Sequence, residues 1–227
     1  MKRVSVLMLV AVMAVVAQAT VIDDFDTLAG WTSTVILDAN GGGSNTASWE
    51  VSSSTLQLST TVYDGIEQYA MIKDGLSLAV GEEVQLVLSH SGASQDIGLY
   101  VGGTTPVAGT RQDYVSVYGR STGELFSRGF NGTSEYGQVG WISPAYTKLF
   151  IARTDDNEYE LGYYIGDDRS VMVTRTPSTE NDATVVGIYA DVRNTGTLGA
   201  VDSLIVIPEP ATMVLLGLGA LVLRRGK

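Results

Sequence analysis

The residues of this chain that could do chemistry are carboxylates and aromatic rings. There is no cysteine, and the one histidine, His90, sits in the stretch LSHSGAS. Cys/His metal clusters are excluded by count, and His90 reads as an ordinary loop histidine, which leaves no nucleophilic triad. Paired carboxylates can cleave glycosidic bonds when alternate strand residues place an acid and a nucleophile on one face. Glu158-Tyr159-Glu160 alternates in this way, but Leu161-Gly162-Tyr163 follows and no third carboxylate completes the set. The pair reads as charges flanking a turn. Asp155, Asp156 and Asn157 on one loop, and Asp167 and Asp168 on another, carry hard oxygens of the kind Ca²⁺ takes. The same residue types are ordinary turn formers, so calcium stays open with no ligand assigned. Sugar binding asks for exposed rings beside amides or carboxylates. The glycine-rich stretch FNGTSEYGQVGWISPAY, 130–146, offers Asn131, Tyr136, Trp141 and Tyr146, the candidate carbohydrate-binding residues. The alternative is that Trp141 fills the core and the tyrosines line a sheet edge. Asn131-Gly132-Thr133 also matches the N-glycosylation acceptor pattern.

The elements that must position these groups are strands. Between the chain's two apolar ends no segment has helical periodicity. Short alternating segments are separated by Gly, Asp, Asn, Ser and Thr clusters. The pattern predicts strands over 21–25, 48–51, 55–60, 67–73, 83–89, 97–101, 113–118, 124–130, 147–154, 159–165, 170–174, 184–192 and 203–207. Residues 26–47 and 131–146 receive none. Residues 147–175 read as a three-stranded meander. Leu149 and Ile151 share one face and Phe150 and Ala152 the other, Asp155-Asp156-Asn157 turns the chain, and Gly166-Asp167-Asp168 turns it again. The expected fold class is all-β, an antiparallel sandwich of the jelly-roll type, with its first and last strands as neighbours that protect each other from being open edges. One domain over 20–207 is expected, with Asn40–Asn45 a loop rather than a linker.

The ends carry the address. Lys2 and Arg3 precede an apolar run, Val4–Val16, and Ala17-Gln18-Ala19 has small residues where a signal peptidase reads, so 1–19 is the expected signal peptide and signal helix. At the other end, Pro208-Glu209-Pro210 is followed by 13 residues, Ala211–Leu223, with Thr212 their one polar member, and then by Arg224 and Arg225. At about 1.5 Å per residue such a helix reaches roughly 20 Å, short of a ~30 Å hydrocarbon core. The prolines bar the helix from running back into the body, and the basic cluster matches a cytoplasmic stop. The expectation is a short, temporary transmembrane helix within a 208–227 sorting segment. Without these ends, residues 20–207 hold 9 basic and 24 acidic side chains, a net −15. Such a body repels nucleic-acid phosphates, so no nucleic-acid partner is expected.

Two resemblances follow. DDFD…GW at 23–31, SWEVSSSTLQLS at 48–59, LFIARTDDNEYELGYYIGDD at 149–168 and VGIYADV…AVDSLIV at 186–206 together resemble the concanavalin A-like, laminin G-like superfamily of lectins and glucanases. Relatives often carry a tryptophan after the Asp-Gly turn, where this chain has Asp167-Asp168-Arg169-Ser170-Val171. The Glu-x-Asp-x-x-Glu pattern of that superfamily's glucanases is absent, so no catalytic residue is assigned and a non-catalytic role is expected. The tail resembles the PEP-CTERM sorting signal read by exosortases, membrane cysteine proteases of Gram-negative-type bacteria. The resemblance implies that Pro208, Glu209 and Pro210 are recognition residues, with Arg224 and Arg225 closing the signal. It implies export, transient inner-membrane anchoring, and a final place at the cell surface or in the extracellular matrix. The expected function is a lectin-like or structural role in exopolysaccharide or biofilm, with exosortase and exopolysaccharide as partners and no cofactor beyond the open question of calcium. The alternatives are a polysaccharide-active glycoside hydrolase or lyase, and a purely structural matrix protein.

Overall fold

The computed structural model describes residues 19–40, 47–88, 96–120, 124–137, 139–142, 145–177 and 181–208. The expected signal helix, His90 and the expected C-terminal helix therefore lie outside the described residues. The described residues form sixteen strands and no helix. In chain order these are β1 (Thr20–Asp23), β2 (Trp31–Asp38), β3 (Ala47–Val51), β4 (Leu56–Thr60), β5 (Glu67–Lys73), β6 (Glu83–Leu88), β7 (Ile97–Gly102) and β8 (Tyr114–Gly119). Then come β9 (Glu124–Asn131), β10 (Ser134–Glu135), β11 (Val139–Ile142), β12 (Lys148–Asp155), β13 (Glu158–Ile165), β14 (Asp168–Arg175), β15 (Val185–Val192) and β16 (Gly196–Ile207).

They make two sheets, and every pairing is antiparallel. The first runs β14-β13-β12-β6-β16-β4-β3, with β1 also on β16. The second runs β10-β9-β8-β7-β15-β5-β2, with β11 also on β9. The meander expected over 147–175 is β12-β13-β14 at one edge of the first sheet. First and last strands are neighbours as expected, Thr20 opposite Val206. Three strands stand where none was expected. Strand β2 is half exposed along its length and has a bulge between Val35 and Leu37, which erases simple alternation. Strands β10 and β11 take their register from β9, with Gly137 at φ +114° between them.

Between the sheets lies the main core. Leu56, Leu58, Leu86, Leu149, Ile151 and Leu161 of the first sheet meet Leu99, Val101, Val115, Val117, Val186 and Ile188 of the second, all fully buried. Each such side chain contributes about 1.5–3 kcal/mol when it leaves water.

Polar latches cross from one layer to the other, and they explain two of the recognised motifs. In DDFD…GW, the Asp23 carboxylate accepts Trp31 Nε1 (2.8 Å), Lys73 Nζ (2.5 Å) and the Phe25 amide (2.8 Å). Asp23 is in the first sheet, while Trp31 and Lys73 are in the second. Burial raises the Asp23 carboxyl, but the hydrogen bonds from Lys73, Trp31 and Phe25, with the Lys73 charge, outweigh it and hold it below the usual range. In LFIARTDD, the buried Arg153 guanidinium donates to three carbonyls, Leu78 O (3.1 Å), Asp182 O (2.8 Å) and Asp156 O (2.7 Å). The motif ties three loops to one strand.

Candidate functional site

The side chains of Asp155 and Asn157 have structural work. Asp155 accepts the amide of Asp156 at 2.8 Å, the Asp156 carbonyl receives Arg153, and Asn157 accepts the Asn181 amide at 3.1 Å while donating to the Pro177 carbonyl. Asp167 and Asp168 are exposed around the β13–β14 turn. Among the described residues no group of three or more His, Cys, Asp or Glu side chains converges as a metal site.

The aromatic platform expected over 130–146 is not assembled there. Tyr146 is fully buried in the main core, so it has no face to offer a sugar. Tyr136 packs on the same core. Its ring occupies the space above Gly129, where a Cβ would stand 2.2 Å from the ring, and the Arg175 guanidinium lies 5.5 Å from the ring centroid. Arg175 is held by Ser127 Oγ and Gly137 O at 2.8 Å each. Gly129 leaves the room that the Tyr136 ring fills. Asn131 is half-buried at the end of β9, where Gly132 turns the chain into β10, and Trp141 is on β11 opposite Leu125. Of the candidate rings, Tyr136 and Tyr146 therefore turn toward the core rather than outward.

A different aromatic assembly lies on the face of the second sheet that points away from the main core. Strands β7, β8, β9 and β15 carry alternating residues there: Tyr100; Tyr114 and Tyr118; Phe126 and Phe130; and Tyr189. Ring centroids are 4.8 Å apart for Tyr100–Tyr114, 5.1 Å for Tyr114–Phe130 and 4.7 Å for Tyr118–Tyr189. The rings fit because Gly98 and Gly187 stand in the gaps. A Cβ on Gly98 would be 2.0 Å from the Val117 carbonyl oxygen, and one on Gly187 2.1 Å from that of Met71. Burial pushes the phenols of Tyr114 and Tyr189 far above their ordinary value, and that of Tyr118 also upward, so they remain neutral.

Guanidinium groups cap this layer. Arg111 lies 4.7 Å from the Phe130 centroid and Arg120 4.7 Å from the Phe126 centroid. Arg128 donates to the Tyr189 hydroxyl at 3.2 Å and pairs with Glu135 at 3.0 Å. Arg193 pairs with the fully buried Asp191 at 2.9 Å. Beside the rings a cleft of about 210 Å³ opens, lined by the side chains of Thr32, Thr34, Thr105, Thr184, Ile72 and Pro106 among others. At ~30 Å³ per water it has room for about seven waters. Ile72 and Val185, which line it, also pack on the tyrosine layer, so cleft and layer are continuous.

The other sheet's outer face is electrostatically closed. Arg169 lies 4.0 Å from the Phe150 centroid and is held by Glu83 (2.8 Å) and Glu160 (2.9 Å). Glu83 also accepts the Tyr164 hydroxyl at 2.7 Å.

Of the sorting residues, Pro208 follows directly on Ile207, the last residue of β16, which is opposite Glu83 of β6. Glu209, Pro210, Arg224 and Arg225 lie outside the described residues. Residues 206–227 match the PEP-CTERM protein-sorting motif. A PEP-CTERM motif implies an exported protein processed by exosortase. No curated protein matches the chain. Solved structures do match its body. The exoplasmic/lumenal domain of VIP36, bound to Ca²⁺ and mannose, superposes with TM-score 0.54 at 9% identity, over 83% of this chain and 88% of that one. A β-1,3-1,4-glucanase (lichenase) from a mouse hindgut metagenome gives 0.53 at 12% identity, over 84% and 98%. A legume lectin-like domain from Entamoeba histolytica gives 0.53 at 10% identity, over 79% and 90%. The body thus has the legume lectin-like, concanavalin A-like jelly-roll fold.

Proposed function

We propose that this PEP-CTERM protein is a non-catalytic carbohydrate-binding module of the cell surface or extracellular matrix, and that it binds exopolysaccharide on the outer face of its second sheet. One observation carries the reading: a threonine-lined cleft of about 210 Å³ opens on the second sheet's outer face, floored by Ile72 and Val185, which pack on the buried ring layer behind it. Threonine hydroxyls can exchange hydrogen bonds with sugar hydroxyls, while Ile72 and Pro106 meet the apolar face of the ring. The lectin-like fold fits a carbohydrate-binding role, and the sorting motif, which implies export, supports a place outside the cell. The test is retention of the full chain, in mild detergent, on polysaccharide extracted from the producing cells. Thr32→Val with Thr34→Val removes two cleft hydroxyls and is expected to weaken retention at least tenfold. Retention on no cell-derived or arrayed glycan would refute the lectin role and leave the structural one.

The hydrolase alternative has one specific observation in its favour. Asp96 and Asp191 are buried neighbours on adjacent positions of β7's approach and β15, with the Asp191 amide donating to Asp96 O at 2.9 Å. Asp191 is already committed to Arg193. Release of reducing sugar from β-glucans by the wild type, abolished in Asp191→Asn, would establish the enzyme reading and overturn the non-catalytic one.

A further inference from the structure

Nine cations serve a body of net charge −15, and four of them, Arg111, Arg120, Arg128 and Arg193, gather on one sheet face. Two have no acid of their own. Arg128 has Glu135 and Arg193 has Asp191, whereas Arg111 and Arg120 form no ion pair among the described residues. The Nε of Arg120 is buried with no acceptor. Arg153 and Arg175 also form no ion pair among the described residues, but their guanidiniums are taken up by carbonyls and Ser127 Oγ, and on the first sheet Arg169, on its own aromatic ring, is held by two glutamates. Both guanidiniums stand 4.7 Å from a ring centroid, Arg111 from Phe130 and Arg120 from Phe126, and a ring contact uses none of the N–H groups that a guanidinium offers an acceptor.

Their spacing restricts that acceptor. Phe126 and Phe130 are four residues apart on β9, and at ~3.4 Å per residue the two ring positions stand roughly 14 Å apart along the strand, each with its own guanidinium. One carboxylate cannot touch both. A ligand that uses both must carry negative groups repeated along its length. We infer that the second sheet's outer face selects an anionic polysaccharide, one with carboxylate or sulfate groups along the chain, Arg111 and Arg120 each taking one of them. The inference rests on the carbohydrate-binding reading and adds the charge class of the ligand to it. A polysaccharide is favoured over a nucleic acid because the same face carries a cleft lined by threonines, whose hydroxyls suit sugar hydroxyls.

The test uses the full chain in mild detergent and four immobilised polymers: polygalacturonate, dextran sulfate, neutral dextran and single-stranded DNA. Binding is expected to polygalacturonate or dextran sulfate, the preferred one identifying carboxylate or sulfate as the recognised group, and to weaken as salt rises to 0.5 M. Arg111→Gln and Arg120→Gln are each expected to weaken it about tenfold, the loss of one charge-assisted hydrogen-bonded contact. Lys148→Gln, which removes a cation above Tyr164 on the other sheet, serves as control and is expected to change binding less than twofold. Unchanged thermal unfolding of the variants assigns the loss to the face rather than to folding. Equal binding to neutral dextran, unaffected by the arginine substitutions, would overturn the charge inference and leave the carbohydrate-binding reading standing. Equal losses in Lys148→Gln, or equal binding to single-stranded DNA, would overturn it as non-specific charge attraction. Binding to none of the polymers nor to cell-derived polysaccharide would overturn both.

Discussion

Removing the Asp23 carboxylate is expected to destabilise the body by about 4 kcal/mol. Asp23→Ala leaves three donors without their acceptor: the Lys73 ammonium, the Trp31 indole and the Phe25 amide. Each is a hydrogen bond to a charged group, worth about 1.5 kcal/mol at the low end that suits a part-buried cluster, which comes to about 4 kcal/mol for the three. Trp31 and Phe25, with ring centroids 5.4 Å apart, also lose the anchor that holds them over the sandwich edge. For a domain of this size a loss of about 4 kcal/mol lowers the melting temperature by roughly 10 °C. Asp23→Asn keeps the shape and one acceptor oxygen but not the charge, and about half the loss is expected. The pH dependence has a definite sign. The folded carboxyl titrates below its unfolded value, so its contribution is complete above about pH 4, the unfolded aspartate range, and is lost as the pH falls through the folded value. Urea unfolding of the full chain in detergent, followed by tryptophan fluorescence, measures the gap between wild type and variant. That gap is expected to be constant from pH 7 to 5 and to narrow below pH 4. A gap under about 1 kcal/mol at pH 7, or one that persists unchanged to pH 2, would refute the latch.

Three further outcomes are expected. Gly98→Ala costs about 3 kcal/mol or more, because its Cβ would meet the Val117 carbonyl at 2.0 Å and a central strand pair cannot part to receive it; thermal unfolding checks this. Arg153→Met costs about 3 kcal/mol, one for each of its three carbonyl acceptors, and Arg153→Lys recovers only part of it because one ammonium cannot span all three; hydrogen exchange at 156–158 and 181–183 should accelerate together. Replacing Pro208, Glu209 and Pro210 with alanine should leave an uncleaved, membrane-associated form on immunoblots of fractionated cells, and normal processing would contradict exosortase recognition.

Much of the architecture is legible one residue at a time. Turn residues and alternation mark β4–β9 and β12–β15 nearly to their ends, because each needs only its own face pattern and a flanking Gly, Asp or Asn. The Pro-Glu-Pro triplet, the apolar run and the arginines likewise declare export without any fold, since a sorting signal is read as linear chain. What eludes a linear reading depends on partners far away in sequence. Strands β10 and β11 exist because β9 pairs with them. Asp23 is explained by Lys73, fifty residues on. The tyrosines of β7, β8 and β15 are buried on the outer face while valines and leucines bury the inner one, so GLYVG, YVSVY and VGIYAD show no polar side to reveal a second layer. The sequence by itself determined the strand periodicity, the acidic charge and the address, all properties of local composition. Tertiary structure alone decided that Tyr136 and Tyr146 turn inward, that the rings of another face stack between glycines, and that Arg111 and Arg120 stand over them with no acid among the described residues, because burial and charge pairing belong to neighbours in space and not in the chain.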